Sequence, residues 1–234
     1  MQSLRVYFLR GEKVAPAYRQ VWVENRAVAA ATMRALLAGP TAAERAAGLS
    51  TAIPAGTSLR GVAITAGTAR VDLTGRYESG GGSLSMSARL MQVVFTLTQF
   101  PSVQRVTFLL DGTAVRVFGG EGTMLDHPAT RDQYASFLPA IFIDSPAFGE
   151  PVSSPLTVRG VANVFEGQFL VEVTDATGRV LARAPAHAAM GRYTEFATTL
   201  RFTASTGPGQ VTGYDHSAKD GRRILDYTVP VVLR

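Results

Sequence analysis

Residues 83–117, SLSMSARLMQVVFTLTQFPSVQRVTFLLDGTAVRV, change their hydrophobic period part-way, and that change decides the fold class of the first half of the chain. Leu84, Ala88, Met91 and Phe95 fall on one face of a helix, joined by Leu90, Val94 and Leu97, so the helix carries a wide apolar stripe and is expected to be heavily buried. Ser83 or Ser85 is placed to cap it. Phe100-Pro101 ends it, because proline has no backbone donor to continue the ladder. Beyond the proline Val106, Phe108 and Leu110 alternate at period two. They run into Asp111-Gly112, a pair that favours the positive φ angles of a tight hairpin, and Val115 and Val117 return. A buried helix followed by a strand and a hairpin is an α+β pattern.

The same alternation of signals extends upstream. Leu4–Leu9 reads as a strand, Gly11–Tyr18 with Pro16 as a loop, and Gln20–Val23 as a second short β run. From Arg26 to Ala38 the period becomes helical, with Ala29, Met33, Leu36 and Leu37 on one face and Gly39-Pro40 as the stop. Val62 and Ile64, the turn Ala66-Gly67-Thr68, and Ala69, Val71 and Leu73 make a hairpin with one buried face, leaving Arg70 and Asp72 outward. Two helices on a small mixed sheet account for residues 1–122.

Downstream the character changes. Apolar periodicity fades over 123–138, which reads as a linker with a short ordered turn at Thr130–Tyr134. From 139 to 234 only strand-like runs occur, at 141–143, 156–161, 169–174, 179–184, 195–203, 210–215 and 226–233, with Asp175-Ala176-Thr177-Gly178 as a tight hairpin between two of them. Short strands at this spacing predict an all-β, immunoglobulin-like sandwich. A chain of 234 residues is long enough for two domains that each bury a core. Fragments 1–122 and 139–234 are expected to fold alone.

Composition restricts the chemistry. No apolar run approaches the ~20 residues needed to cross a bilayer as a helix. Met-Gln-Ser leads straight into the first strand, so a cytoplasmic location or a trimmed export segment is expected. The absence of cysteine excludes disulfides, thiolate metal sites and a cysteine nucleophile. Residues 1–122 carry 13 basic against 7 acidic side chains and residues 123–234 carry 10 against 11, so the positive charge sits in the first half. The arginines come singly apart from Arg222-Arg223, which argues against a nucleic-acid site.

His127, His187 and His216 are far apart and in no metal-ligand spacing. Gly56-Thr57-Ser58-Leu59-Arg60-Gly61 lacks the glycine spacing of a nucleophile elbow, and Gly207-Pro208-Gly209 lacks the helix a phosphate cradle needs. No catalytic residue, metal site or cofactor is expected. The densest polar cluster, Asp215, His216, Lys219, Asp220, Arg222 and Arg223 with Asp226 close by, is the candidate binding loop, at one end of the sandwich. Its alternative is a solvated loop whose charges satisfy one another. Asn163, Phe165 and Glu166 suggest a second loop, with Phe165 expected in core or edge packing.

Long stretches also resemble known families. VYFL (6–9), ALLAGPTAAERAAGLSTAIPAGTSLRGV (35–62), ARVDLTGRYESGGG (69–82) and VVFTLTQFPSVQRVTFLLDG (93–112) resemble the GerMN domain of sporulation and spore germination. LPAIFIDSPAFGEPVSSPLTVRGVANVFEGQFLVEVTDATGRVLA (138–182) and YDHSAKDGRRILDYTVPVVL (214–233) resemble the immunoglobulin-like domain of bacterial spore germination. The resemblance implies a non-enzymatic, extracytoplasmic adaptor of the bacterial cell envelope, held to the membrane only by an N-terminal anchor that this chain lacks. It implies envelope or sporulation-type protein partners and self-association through residues 1–122, as in ring-building domains. It supplies no catalytic residues and does not require that the host sporulate. A module binding peptidoglycan or an anionic wall polymer is the alternative.

Overall fold

In a computed structural model, residues 1–24, 27–120, 122–165, 167–203 and 206–234 are described. The chain divides into two compact units, Met1–Ala15 with Arg19–Phe137, and Leu138–Arg234 with Pro16–Tyr18.

The first unit opens with a hairpin, β1 (Gln2–Arg10) and β2 (Lys13–Val21), turned by Gly11 at φ 61°. The segment 11–18, expected as a loop, is therefore largely strand. Its Pro16 is tolerated because β2 is the edge of the sheet β2-β1-β3, where a missing donor breaks no ladder. Helix α1 (Val28–Leu37) buries Thr32, Met33 and Leu36. The expected start at Arg26 lies outside the described residues. A five-residue helix α2 (Ala42–Ala46) then follows, its N-terminus closed by a reciprocal capping box between Thr41 and Glu44. Strand β3 (Leu49–Ser50) pairs antiparallel with the end of β1.

A second, mixed sheet begins with β4 (Leu59–Thr65) and β5 (Thr68–Leu73), joined by Ala66 and Gly67 at φ 46° and 75°, the two positive values that match a hairpin turn to strand twist. Helix α3 (Ser83–Leu97) crosses over to β6 (Arg105–Leu110), which lies parallel to β5. Asp111 and Gly112, at φ 49° and 85°, return the chain into β7 (Thr113–Ala114). The sheet order is β4-β5-β6-β7. Helices α1 and α3 pack on each other and on β1, so the core gathers Val6, Met33, Leu36, Met91 and Phe95 at zero or near-zero exposure. Two further short strands, β8 (Val117–Phe118) and β9 (Thr123–Met124), pair antiparallel.

Residues beyond Met124 stay on this unit. Ala129 bridges Val106, and a stretch of 3-10 helix at Arg131–Phe137 packs on α3 with Tyr134 and Phe137 buried. Arg131 fixes it. Its guanidinium lies 4.6 Å from the Phe95 ring centre and 5.2 Å from that of Tyr7, and it donates to Thr98 Oγ1 at 2.8 Å and to the Phe95 carbonyl at 3.0 Å.

The second unit is a sandwich of two sheets. Its strands are β10 (Ile141–Ser145), β11 (Pro151–Val152), β12 (Leu156–Ala162), β13 (Gln168–Asp175), β14 (Val180–His187), β15 (Thr194–Leu200), β16 (Gly207–His216) and β17 (Arg223–Leu233). One sheet runs β10-β12-β15 and the other β11-β17-β16-β13-β14. Phe142 meets Tyr227 edge-on at 5.8 Å and Phe169 meets Phe196 at 4.9 Å, so aromatic pairs bridge the sheets across the core. Gly160 leaves no room for a side chain, since a Cβ there would stand 1.9 Å from the Phe142 carbonyl oxygen. The Asp175 hairpin forms as expected. Its carboxylate accepts from the Thr177 hydroxyl and amide and from Arg179, and these bonds hold its pKa at about 2.

Candidate functional site

The candidate loop is the tip of the β16–β17 hairpin. The two strands stay in register to His216 opposite Arg223, after an irregularity between Gly213 and Asp215. The Ser217 amide donates to the Arg222 carbonyl and the Gly221 amide to the Ser217 carbonyl, both at 2.8 Å. Asp220 accepts from the Arg222 amide at 3.2 Å and from its Nε at 2.7 Å. The Ser217 hydroxyl, then Arg222, lower the pKa of the Asp220 carboxyl. Asp215 accepts from the His216 amide at 2.7 Å, and the His216 ring sits edge-on to Tyr214 at 5.4 Å. Lys219 is exposed at the tip.

Arg223 leads away from this tip to a second cluster that the local sequence did not reveal. Its guanidinium stacks 3.6 Å above the Tyr214 ring centre, donates to Glu172 Oε1 at 2.7 Å and reaches Asp226 at 3.2 Å. Glu172 stands on β13 opposite Arg183 of β14, which donates to Oε2 at 2.9 Å, and the Tyr214 hydroxyl donates to the same oxygen at 3.2 Å. Burial opposes the Glu172 charge, and the hydrogen bonds of Arg183 and Arg223 outweigh it, so its pKa lies below the ordinary value of 4.5. Burial also pushes the Tyr214 phenol up, reinforced by the carboxylate beside it.

The six predicted residues therefore divide. Asp220 with Arg222 locks the turn, Asp215 holds the backbone of His216, and Arg223 belongs to the Glu172 clamp. Each charge except Lys219 is turned toward a neighbour within the hairpin or the sheet beneath it. Glu172, Arg183 and Tyr214 were missed because they lie up to 51 residues away from Arg223 in sequence. Strand alternation alone does not reveal it: Glu172 falls on the face opposite Phe169, Val171 and Val173, and a bulge between Val173 and Thr174, which simple counting back from the Asp175–Gly178 turn does not foresee, sets it across from Arg183.

In the first unit much of the positive charge is spent internally. Arg19 is ion-paired with the buried Glu44, with Nη2 donating to Oε2 at 2.7 Å. Arg89 is buried and donates to the carbonyls of Ala52, Tyr77 and Gly80 at 3.0, 2.9 and 2.6 Å. Arg60 lies 3.6 Å from Asp72 and 3.5 Å from Asp111. Arg34, Arg45, Arg70, Arg76, Arg105 and Arg116 remain exposed. Among the described residues no group of three or more His, Cys, Asp or Glu side chains is placed to hold a metal ion, and no helix is long and apolar enough to cross a membrane.

Residues 5–116 match the family described as sporulation and spore germination, and residues 140–222 match the immunoglobulin-like domain of bacterial spore germination. The chain joins a domain of each family. No curated protein sequence matches it. The chain is also similar to the first GerMN domain of the sporulation protein GerM from Bacillus subtilis, at 20% identity over 56% of this chain and 99% of that one, with a TM-score of 0.47. Against the tandem GerMN domains of the same protein the identity is 14%, over 86% of this chain and 61% of that one, with a TM-score of 0.48.

In the germination-type immunoglobulin domain one expectation needs correction. Phe165 is not packed in the core or against an edge. It stands at the tip of the β12–β13 loop, 78% exposed, because Val164 before it takes the buried position and Gly167, at φ 68°, turns the chain back. Glu166, expected in the same loop, lies outside the described residues. Ala188 donates to the Gly167 carbonyl at 2.9 Å, which sets the β14–β15 loop beside it.

Proposed function

We propose that this chain is a non-enzymatic, extracytoplasmic adaptor of the bacterial cell envelope that works by protein–protein contact. Its germination domain docks a neighbour, and its sandwich extends or presents that domain. In the full-length protein an N-terminal anchor ties it to the membrane. The observation that carries this reading is the tandem match, a sporulation and spore germination domain followed by its immunoglobulin-like companion. The sandwich loop fits it, since its charges apart from Lys219 are held by neighbours in the hairpin or the sheet beneath it and offer no constellation of nucleophile, base and oxyanion donors.

A second reading, a binding module for peptidoglycan or an anionic wall polymer, is favoured by the exposed arginines of the germination domain. Pelleting with purified wall sacculi across a salt series separates the two. Exposed charge contacts are screened over ~8–10 Å at ordinary ionic strength. The adaptor reading expects weak retention that salt leaves unchanged. Strong retention that falls steeply with salt would replace it with the wall-binding one.

A further inference from the structure

Strand β4 is an edge of the sheet β4-β5-β6-β7, and it lacks the features that usually protect an edge. It has no proline and no lysine. Its one charge, Arg60, is held by Asp72 and Asp111 of the same chain, so a strand laid alongside meets no free cation. The ladder to β5 is regular from Gly61 to Thr65, with the irregularity confined to Leu59–Gly61. On this regular stretch the apolar side of the sheet runs out unfinished. Val71 and Ala69 are fully buried, while their partners on β4, Val62 and Ile64, are half-buried and 41% exposed respectively. Beside them lies a shallow hollow of about 420 Å³, lined also by Val28, Ala29 and Phe100.

We propose that β4 is a self-pairing edge, through which two copies of the chain join antiparallel about a two-fold axis at Ala63. This rests on the protein-contact reading above and names its surface. The strand's own sequence selects a second copy as the occupant. With Ala63 opposite Ala63, Val62 of each copy faces Ile64 of the other, Gly61 faces Thr65, and Arg60 falls outside the paired span. The half-buried Val62 and the exposed Ile64 of each copy then close over one another and supply the missing wall of each hollow. Ala63 is exposed and small, which leaves room at the axis. The nearest unpaired like charges, Arg70 of each β5, sit three strand spacings apart, about 14 Å, beyond the ~10 Å screening distance. One short edge buries less than the ~1,200 Å² of a stable interface, so the pairing is reversible and concentration-dependent.

The absence of native cysteine makes the test direct in the intact chain. Ala63→Cys should form a covalent dimer under mild oxidation, with a yield that rises with concentration. Arg70→Cys should not. Ile64→Lys should weaken association about ten-fold or more and, added to Ala63→Cys, should remove the cross-link. Because Ile64 is part-exposed, far-UV circular dichroism of Ile64→Lys should match the parent; should it not, the Ala63→Cys result decides alone. Failure of Ala63→Cys to cross-link, while the parent still associates, would overturn this surface and leave protein contact standing. Failure of both cross-linking and association would remove self-pairing altogether.

Discussion

Gly81 and Arg89 show how a single position can be set by contacts far along the chain. Gly81 sits at φ 85°, and a Cβ there would come within 2.7 Å of Ser85 Oγ and 2.8 Å of Arg89 Nη2. That guanidinium has nowhere to retreat, because three carbonyls hold it. Gly80 has φ 62° but open space around it. Gly80→Ala should therefore cost only the left-handed backbone penalty, ~1–2 kcal/mol, and Gly81→Ala clearly more, as denaturant midpoints would show. Equal losses would mean that Arg89 is not fixed. Glu172 is the corresponding residue of the sandwich. Glu172→Gln should destabilise by about 2–3 kcal/mol, less than the ~3–5 of a fully buried pair, because both guanidiniums reach water. Its folded pKa is lowered, so its contribution is present in full above 4.5 and is lost as pH falls through the folded value. Glu44 behaves alike, its pKa also being lowered against the opposing effect of burial by Arg19 and Thr41. Unfolding titrations of the parent should be insensitive to these two groups above that pH and weaken below it, with a smaller acid loss in Glu172→Gln.

Helix α3 is the element on which the first unit depends, and its burial is wider than any one stripe. Phe95 is 1% exposed and also faces the Arg131 guanidinium, so Phe95→Ala should cost ~3–5 kcal/mol, whereas Arg70→Ala on the open side of β5 should stay within about 0.5. Similar small losses at both sites would contradict the packing. The stripe of α3 from Ala88 onward, the Asp111-Gly112 turn and the strands of the sandwich were legible in sequence because period and turn chemistry are local, whereas Leu84, read as part of that stripe, is 57% exposed in the first turn of the helix. Helix α2 was not, since five residues leave no periodicity and only the Thr41–Glu44 box marks it. Nor was β2, whose Pro16 reads as a loop until its edge position is known. The candidate loop was legible as a hairpin tip between two strands. Its link to Glu172 was not, because the contact comes from register across neighbouring strands rather than from spacing along one.

At the scale of the molecule, two units with separate cores carry the two matched domains. Residues 123–137 bear on where the first unit ends. Because Ala129, Arg131, Tyr134 and Phe137 pack on it, we place its end at Phe137. Fragment 1–137 should unfold cooperatively. Fragment 1–122 should be weaker by at least the ~3 kcal/mol of two lost aromatic burials, a large part of a domain's ~5–15 kcal/mol. Equal stability of the two would return residues 123–137 to the role of a linker. Contact with other proteins remains the centre of the functional account, and the mass of the intact chain by light scattering across concentration, at low and high salt, tests it most directly. A weight-average mass that climbs above 24.9 kDa with concentration and persists in salt is the predicted result. A mass fixed at 24.9 kDa throughout, together with salt-sensitive retention on wall sacculi, would contradict it.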